Sequence, residues 1–598
     1  MAMANDGGRA GRGDKDLNNL TRLLLAAALA AAPLLATAAD LPDPVPLRFI
    51  HINDFHGSLE ASAGLSLRVA ERPGSGPATL SVPTGGAPAL AGLVRSLRAG
   101  SPYSVMTAGG DLVGAAPLVS SLFRHESTIE VINDIGLEVS SFGNHEFDEG
   151  SVELARLIKG GCAATKPDAV ITSCARETYR GVKFTYLGAN VVNEKGPPLA
   201  APYVIRTYAG IPVGFIGAVT IQTPTLVTPS GVAGLKFIDE AEGVNRAADE
   251  LRAKGVRAMV AIFHEGIEID GRADWNDTSC PGAAGPLLDI ARRLAPEIRV
   301  VLSGHTHRGY RCEIDGRLLI QSTSYGCGIS VVDVELDRST RAMLPPVRSM
   351  NLPVMNERTE PETRAKVIAG MPEPFAKALA DARPDAKIAE KVAAYAALAK
   401  PKADRVVARI GGPLTHARTD RTDTPMARLI ADAQLAATRS EGAQLALMNP
   451  GGVRGGIVCS APPCPVTFGQ IFLVQPFGNS LVVMNLTGEQ LKRALEQSRR
   501  AGAEPYLLHP SEGFTYTWAN DAPQGAQVSD MRLMGQPIDP AKTYRVTVNS
   551  FLADGGDGFT VLKDGKDLKG GGQDIDALMA YMAAEQRSPG PTARITRR

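Results

Sequence analysis

The chain lacks four features that would each point to a particular class of protein. Its 63 basic and 63 acidic residues leave no formal net charge, which argues against a nucleic-acid binder that relies on a basic field. No two cysteines have Cys-x-x-Cys spacing, so the pattern of a structural zinc site is missing. Beyond residue 39 no stretch is apolar enough to span a bilayer, and there is no short-period repeat. What remains is an ordinary globular composition over 598 residues, enough for more than one buried core.

The first 39 residues have the pattern of a secretory signal peptide. Basic residues precede an uncharged run at 23–39, which is rich in Leu and Ala and contains the small-x-small cleavage pattern Ala36-Thr37-Ala38. A membrane anchor helix is the alternative, but the run is short for a span and Pro33 interrupts it. No cysteine follows the cleavage pattern directly, so a lipoprotein anchor is not indicated. We expect residues 1–39 to be removed and the protein to be exported, to the periplasm or outside the cell, without a stable membrane anchor.

The seven cysteines agree with export to an oxidising compartment. One pair brackets a short polar loop and another brackets Ser-Ala-Pro-Pro, as local disulfides do. We predict three disulfides that leave Cys327 free: Cys162 with Cys174, Cys459 with Cys464, and Cys280 with Cys312.

Short apolar runs alternate with helix-like segments from residue 47 onward. The runs at 47–53, 104–107, 258–263 and 298–302 indicate buried strands, and each leads into Gly, Asp, His or Asn. This is typical of an α/β fold with its reactive loops at one end of the strands. The stretch 64–89 is rich in Gly, Pro and Ser, which predicts an inserted loop.

The composition changes twice more along the chain. Residues 360–402 are rich in Ala, Lys, Glu and Pro, with a helical pattern at 386–399, and this predicts a helical connector. From residue 404 a new mixed α/β pattern runs to 592. We therefore divide the mature chain at 45–350, 355–402 and 403–595.

Five polar clusters directly follow predicted strands, and together they have the composition of a metal site. They are Asn53-Asp54-Phe55-His56, Gly109-Gly110-Asp111, Gly143-Asn144-His145-Glu146-Phe147-Asp148, Phe263-His264-Glu265 and Gly304-His305-Thr306-His307. Carboxylate, imidazole and amide oxygen suit divalent ions such as Mn²⁺, Zn²⁺, Fe or Mg²⁺. A lone Asp or His is more often a cap or a surface group, but five clusters at strand ends in one chain indicate a metal centre.

This ordered set resembles the calcineurin-like metallophosphoesterase family. It is most similar to the secreted bacterial and animal 5′-nucleotidases, which include the periplasmic UDP-sugar hydrolases, and the resemblance covers nearly the whole mature chain. It implies two divalent ions, with Mn, Zn, Mg and Ca all open, which neutralise phosphoryl oxygens and activate water. By this resemblance one ion is bound by Asp54, His56 and His307, the other by Asn144, His264 and His305, and Asp111 bridges them. The nucleotidases often carry Gln at the last position, where this chain has His307.

The same resemblance assigns His145 and Asp148 as a catalytic dyad without metal coordination. In the family the His after the Asn ligand reaches the phosphate and stabilises the transition state or protonates the leaving oxygen. Asp148, three residues later, can hold the imidazole in its charged form. The alternative is a capping pair at a helix start. Glu146 and Glu265 are expected to support neighbouring groups rather than to bind metal, and His51 is expected in the core.

Three Gly-rich segments in the last third of the chain predict a substrate site. They are Asn449-Pro450-Gly451-Gly452-Val453-Arg454, Gln475-Pro476-Phe477-Gly478-Asn479 and the run from Phe551 through Asp557 to Phe559. Two rings on loops can sandwich a base, an Asp can bind ribose hydroxyls, and an Arg can grip phosphate. The segments resemble the 5′-nucleotidase C-terminal domain, which implies that Phe477 and Phe551 stack the base and Asp557 binds the ribose. It also implies substrate contacts from Asn449 and Arg454.

The phosphate-binding arginines of that domain fall in the stretch 416–430. The stretch departs from the family pattern, since His416 stands where an Arg is usual, and Arg418 or Arg421 is the candidate.

The resemblance also implies an architecture and an activity. The expected fold is α/β: an N-terminal metallophosphoesterase β-sandwich flanked by helices in four α/β/β/α layers, the helical connector acting as a hinge, and a C-terminal 5′-nucleotidase-type α/β domain. The expected activity is release of phosphate from nucleoside 5′-phosphates, with nucleotide sugars or nucleoside di- and triphosphates as further substrates and no nucleic acid polymer as partner. The alternatives are a 2′,3′-cyclic-nucleotide phosphodiesterase/3′-nucleotidase, a thiosulfohydrolase, which the nucleoside-binding residues disfavour, and a non-catalytic nucleotide-binding surface protein.

Overall fold

The computed structural model describes residues 43–598 except 62–63, 70–77, 165–170, 228, 271–273, 417–422, 500–503 and 585–592. The predicted signal peptide and two candidate phosphate ligands, Arg418 and Arg421, therefore lie outside the described residues. Within them, no helix is both long and apolar enough to cross a membrane.

The N-terminal domain alternates strands with helices. Its strands, in chain order, are β1 (Val45–Ile52), β2 (Gly64–Val69), β3 (Ala78–Pro83), β4 (Ser104–Ala108), β5 (Val139–Ser141), β6 (Thr185–Leu187), β7 (Val191–Asn193), β8 (Tyr203–Tyr208), β9 (Ile211–Val219), β10 (Leu235–Phe237), β11 (Ala258–His264), β12 (Ile298–Leu302), β13 (Tyr310–Ile314), β14 (Arg317–Gln321), β15 (Gly328–Leu336) and β16 (Arg348–Pro353). Its helices are α1 (Ala87–Ala99), α2 (Leu118–Ser121), α3 (Glu126–Ile135), α4 (Gly150–Lys159), α5 (Thr223–Leu226), α6 (Glu240–Ala253) and α7 (Pro286–Arg293).

Two six-stranded sheets pack face to face between layers of helices. Their strand orders are β16-β15-β1-β4-β5-β6 and β13-β14-β12-β11-β9-β8. Because side chains alternate along a strand, Phe49 and Val105 face the second sheet, where the rings of Phe49 and Phe215 lie 6.0 Å apart, edge to face. Ile50 and Met106 point the other way, into a core that includes α1 and α3. A third core joins the second sheet to α6 and α7, so the four α/β/β/α layers are confirmed.

The stretch 64–89 is not the loop that its composition predicts. Strands β2 and β3 pair antiparallel, and α1 begins at Ala87. The reason lies in the alternation Gly-Leu-Ser-Leu-Arg-Val, which places Leu67 against the core beside Val82. The Gly- and Ser-rich composition obscures that period-two pattern.

The connector is helical, as predicted, and it is attached to the first domain. It contains α8 (Pro361–Ala369), α9 (Phe375–Asp381) and α10 (Ala386–Ala403). The Asp385 side chain caps α10 by accepting from the backbone N–H groups of Lys387 and Ile388. Helix α10 then packs on α1 and α3, and the hydroxyl of Tyr395 donates to Glu130 of α3 at 2.9 Å. Helix α10 also contacts the helix Phe468–Val474 of the C-terminal domain, and the predicted hinge role stays a prediction.

The C-terminal domain is a second mixed α/β unit with its own two cores. Its strands are β17 (Val406–Ile410), β18 (Leu445–Met448), β19 (Cys464–Thr467), β20 (Ser480–Thr487), β21 (His509–Pro510), β22 (Phe514–Trp518), β23 (Val528–Leu533), β24 (Gln536–Pro537), β25 (Thr543–Asn549), β26 (Lys566–Gln573) and β27 (Ile595–Arg597). Its helices are α11 (Pro425–Thr438), α12 (Phe468–Val474), α13 (Gly488–Glu496), α14 (Ser550–Ala553) and α15 (Asp574–Ala584). The largest sheet has the order β21-β18-β25-β20-β26.

All seven cysteines lie in the described part of the chain, and the predicted pairing is confirmed. Three disulfides join Cys162 to Cys174, Cys280 to Cys312, and Cys459 to Cys464, leaving Cys327 buried as a free thiol.

Candidate metal centre and substrate cavity

The five polar clusters meet because their strands are parallel neighbours. Strands β1, β4 and β5 run parallel in the first sheet, and β11 and β12 run parallel in the second. The clusters follow the carboxyl ends of these strands, which is where α/β sheets place their ligand sites. The structure brings together all seven residues predicted to bind metal, and their role as ligands stays a prediction.

Asp54, His56 and His307 form one half of this cluster, with ligand atoms within 4.8 Å of one another. The Nε2 atoms of His56 and His307 are 3.1 Å apart, and His307 Nε2 is 3.4 Å from Asp54 Oδ1. The Asp54 carboxylate is itself held by the backbone N–H of His305, at 3.0 and 3.1 Å from its two oxygens.

Asp111, Asn144, His264 and His305 form the other half. His264 Nε2 lies 3.0 Å from Asn144 Oδ1, 3.2 Å from Asp111 Oδ2 and 3.2 Å from His305 Nδ1. Asp111 also lies 3.6 Å from His56 Nε2, so its carboxylate stands between the two halves. That position agrees with the bridging role that the resemblance implies.

The chemistry of these donors fits divalent ions. His56 and His264 each place Nδ1 on a backbone carbonyl, of Gly114 at 2.9 Å and Gly109 at 2.7 Å. A carbonyl only accepts, so Nδ1 carries a proton in each ring, and Nε2 is the nitrogen that faces the other ligand atoms and could bind an ion. Converging acceptors of this kind repel one another unless a cation lies among them. The residues therefore suit the two-ion centre of calcineurin-like phosphoesterases.

The pKa shifts show where this cluster attracts positive charge. Burial lowers the pKa of His305 to about 3 and that of His56 well below its ordinary value, which keeps both rings neutral, as ligands must be. Burial acts on His264 in the same direction, but the nearby Asp111 carboxylate outweighs it and raises the pKa of His264 to about 10. The cluster is therefore most favourable for a cation beside Asp111 and His264.

Two glycines allow the Asp111 and Asn144 loops to nest. A Cβ on Gly143 would lie 2.2 Å from Asp111 Oδ1, and a Cβ on Gly110 would lie 2.4 Å from the backbone nitrogen of Gly143. Gly110 also has φ +78°, a conformation that glycine adopts without strain. The close approach of the two ligand loops therefore requires glycine at both positions.

Glu146 connects the Asp111 loop and the Asn144 loop through hydrogen bonds. Its buried carboxylate accepts from the backbone N–H groups of Asp111 and Leu112, both at 2.9 Å, and of Gly143 at 2.6 Å. The Tyr186 hydroxyl adds a fourth donor at 3.3 Å. This is the supporting role predicted for Glu146. Predicted as a core residue, His51 is fully buried and bonds Thr107 and the Ser303 carbonyl.

His145 and Asp148 pair next to the metal cluster. His145 opens a short 3₁₀ helix, His145–Phe147, and its Nδ1 lies 2.8 Å from Asp148 Oδ2. Burial alone would lower the pKa of His145, but the carboxylates of Asp148 and Asp111 together raise it. The imidazole therefore favours its protonated form. Asp148 receives Nδ1–H, so Nε2 is left for a substrate.

A cavity of about 560 Å³ opens beside His145, and both domains line it. The residues predicted to bind substrate that line it are Asn449, Arg454, Phe477, Phe551 and Asp557. The Phe477 ring stacks on the His145 ring, with centroids 5.9 Å apart and planes at 13°, and the Arg454 guanidinium lies 5.9 Å from the Phe477 centroid. The metal cluster and the aromatic segments thus belong to one cavity, as the sequence predicts.

A chain of side-chain amides orients Asp557. Asn549 donates to Asn449 at 2.9 Å, and Asn449 donates to Asp557 Oδ2 at 2.7 Å. Asp557 adopts φ +53°, between glycines on both sides. Their roles in binding substrate stay predictions.

Several cavity residues carried no role in the sequence analysis. Asn479 is the last residue of the Gly-rich segment that begins at Gln475, and its backbone carbonyl accepts from the N–H of Asp574, far along the chain. Tyr506 and Gln222 belong to no motif. A search for polar residues near the Gly-rich segments would have found Asn479, whereas Tyr506 and Gln222 gave no signal.

Comparison with known proteins identifies both domains. Residues 47–309 match the family described as "Calcineurin-like phosphoesterase", and residues 406–564 match "5'-nucleotidase, C-terminal domain". The chain is 30% identical to the cell wall protein Lmo0130 of Listeria monocytogenes over 96% of its own length and 72% of that protein. It is 31% identical to the endonuclease YhcR of Bacillus subtilis over 90% of its own length, but it spans only 40% of that protein.

A solved structure agrees with the whole architecture. The 5'-nucleotidase precursor from Thermus thermophilus superposes with a TM-score of 0.72 and 26% identity, covering 92% of this chain and 99% of that one. The chain therefore belongs to the calcineurin-like phosphoesterase family, in the branch that carries a 5′-nucleotidase C-terminal domain.

Proposed function

We propose that the protein is an exported phosphohydrolase that releases phosphate from nucleoside 5′-phosphates. One observation carries this proposal: a single cavity is lined by members of a ligand cluster that suits two divalent ions, Asp111, Asn144, His305 and His307, and also by two Phe rings and an Asp of the C-terminal domain. A nucleoside 5′-phosphate has the matching shape, with a dianionic phosphate at one end and a flat base at the other.

The nucleoside half would bind to the C-terminal domain. Phe477 and Phe551 offer ring faces to a base, and Asp557 accepts hydrogen bonds from ribose hydroxyls. Asn449 holds the Asp557 carboxylate in place through its 2.7 Å hydrogen bond. Arg454, beside Phe477, offers a planar cation to the phosphate.

The phosphate half would lie against the metal ligands and His145. Asp54, His56, Asp111, Asn144, His264, His305 and His307 would hold two divalent ions, which would supply charge neutralisation and an activated water. His145, whose pKa the Asp148 and Asp111 carboxylates raise, would donate a hydrogen bond to a phosphoryl oxygen or its proton to the departing 5′ oxygen. Asp148 fixes the ring so that Nε2 is the donor.

Export rests on two supports. The three disulfides form in oxidising compartments, and the pattern at 23–39 is that of a signal peptide. Edman sequencing of the protein recovered from outside the cytoplasm should begin close to residue 39. A retained Met1 would contradict the proposal.

The test of activity is hydrolysis of a substrate panel by metal-free protein refilled with Mn²⁺, Zn²⁺, Mg²⁺ or Ca²⁺, measured by chromatography of the nucleotide products together with phosphate release. The panel contains AMP, ADP, UDP-glucose, 2′,3′-cyclic AMP and 3′-AMP. We expect AMP turnover that a chelator abolishes and a divalent ion restores. Preference for the cyclic or 3′ substrates would make the protein a 2′,3′-cyclic phosphodiesterase/3′-nucleotidase. Nucleotide binding without turnover under every metal would make it a binding protein.

A further inference from the structure

A segment of the N-terminal domain that belongs to no motif forms a wall of the substrate cavity. We name residues 221–227, directly after β9, the wall segment; it contains α5. Gln222, Thr225, Leu226 and Val227 line the cavity, and Ile221 in the same segment does not. Gln222 is exposed to the cavity, and its carboxamide makes no hydrogen bond to any described residue.

The start of the wall segment is held by hydrogen bonds close to the predicted metal ligands. The N–H of Thr220 donates to the carbonyl of His264 at 2.9 Å, so the segment starts beside a predicted metal ligand. Thr223 is fully buried, and its hydroxyl donates to the Thr220 carbonyl at 2.7 Å. The N–H of Ile221 donates to the buried carboxylate of Glu240 at 2.6 Å. These contacts hold the segment in one place relative to the ions.

The tip of the wall segment lies against the nucleoside side of the cavity. Helix α5 contacts the C-terminal turn Gly556–Gly558, which contains Asp557. Gln222 carries both donors and an acceptor but no charge, so it suits a neutral sugar or base rather than a phosphate. Leu226 adds apolar surface.

We propose that the wall segment determines nucleoside specificity, with Gln222 hydrogen-bonding the nucleoside and Leu226 packing against it. The proposal rests on the proposed function and adds to it a nucleoside contact from the N-terminal domain. Recognition of the nucleoside then depends on both domains, because Gln222 belongs to the N-terminal domain and Asp557 to the C-terminal domain. A simple aryl phosphate has neither ribose hydroxyls nor a nucleobase, so the loss of Gln222 should affect its turnover less than that of AMP.

The test compares two substrates in three variants. Gln222→Ala and Leu226→Ala remove the two contacts, and Ile221→Ala is the matched control, since Ile221 lies in the same segment outside the cavity. The readout is the ratio of kcat/KM for AMP to kcat/KM for p-nitrophenyl phosphate. Losing one neutral hydrogen bond should lower this ratio roughly 3- to 10-fold, mostly through a higher KM for AMP. Ile221→Ala should leave the ratio within about twofold.

The outcomes separate the two proposals. An unchanged ratio in Gln222→Ala and Leu226→Ala, in a wild-type protein that hydrolyses AMP, would overturn the role of the wall segment and leave the proposed function standing. An equal loss on both substrates would also overturn it, because it would mean general damage to the site. A wild-type protein that hydrolyses p-nitrophenyl phosphate but no nucleoside phosphate would refute both. Thermal unfolding of each variant shows whether it is folded.

Discussion

Removal of the Glu146 carboxylate tests whether the metal centre depends on the hydrogen bonds that hold its loops. Glu146 is buried, and its two oxygens accept from three backbone N–H groups at 2.6–2.9 Å, two of them on the Asp111 loop and one on the Asn144 loop. Each buried N–H left without a partner costs about 1–3 kcal/mol. Such contributions do not add fully, so Glu146→Ala should destabilise the N-terminal domain by at least about 3 kcal/mol.

Metal binding should respond as well. Loss of a group that supports metal ligands typically weakens metal affinity by about 10- to 100-fold. We expect this range for Mn²⁺ in titration calorimetry of metal-free Glu146→Ala. Glu146→Gln should fall in between, since one amide oxygen can still accept from part of the donor set.

The control is Glu357→Ala, the same substitution at an exposed position, which should change the midpoint of thermal unfolding little. The reasoning would be refuted if Glu146→Ala matched the wild type both in thermal unfolding and in Mn²⁺ affinity. A loss of stability with unchanged affinity would mean that the loops keep their positions without Glu146.

Three further outcomes are expected. His145→Ala should lower kcat for AMP about 100- to 10,000-fold while Mn²⁺ affinity stays near that of the wild type, because the ring is hydrogen-bonded to Asp148 and meets the predicted ligand His56 only through an edge-to-face ring contact. An equal loss of metal would make His145 a ligand. The double variant Cys280→Ser/Cys312→Ser should lose about 4 kcal/mol of stability, as expected for opening a loop of 32 residues, and an unchanged unfolding midpoint would contradict this. Burial raises the pKa of Asp574 to about 7, from 3.8 in an unstructured chain. Between these two pH values the carboxyl group is protonated in the folded protein and ionised in the unfolded chain, so the free energy of unfolding falls as the pH rises through that window. Asp574→Asn removes this pH dependence, and its unfolding midpoint should rise relative to that of the wild type between about pH 4 and 7. A difference between the two midpoints that stays constant with pH would show that Asp574 does not titrate there.

The metal centre could be predicted from sequence because its information is local. Each cluster combines ligand residue types with glycine directly after an apolar run, and the parallel order of the strands then brings the clusters to one edge. Two of the three disulfides were predictable for a similar reason, since Cys162 with Cys174 and Cys459 with Cys464 each close a short loop. The four layers were implied by the family resemblance. Strand β1, which is buried along nearly all of its length, agrees with them, since helices cover one of its faces and the second sheet covers the other.

The features that sequence reasoning missed depend on contacts between distant segments. The hairpin of β2 and β3 was obscured by its Gly- and Ser-rich composition, although its leucines alternate. Gln222 becomes a cavity residue only because α5 meets the turn around Asp557, and nothing near Gln222 in the chain indicates that turn. Asn479 and Asp574 contact one another across the C-terminal domain without any shared pattern.

The attachment of α10 has a mechanical consequence for the second domain. Because α10 packs on α1 and α3 of the first domain and also contacts α12 of the second, the predicted hinge motion would have to change the contacts between α10 and α12. Beyond the end of α10, the Arg405 carbonyl accepts from the N–H of Phe468, and the Arg405 guanidinium lies over the Phe468 ring. An insertion there would change the angle at which the base is presented to the ions without altering either wall of the cavity.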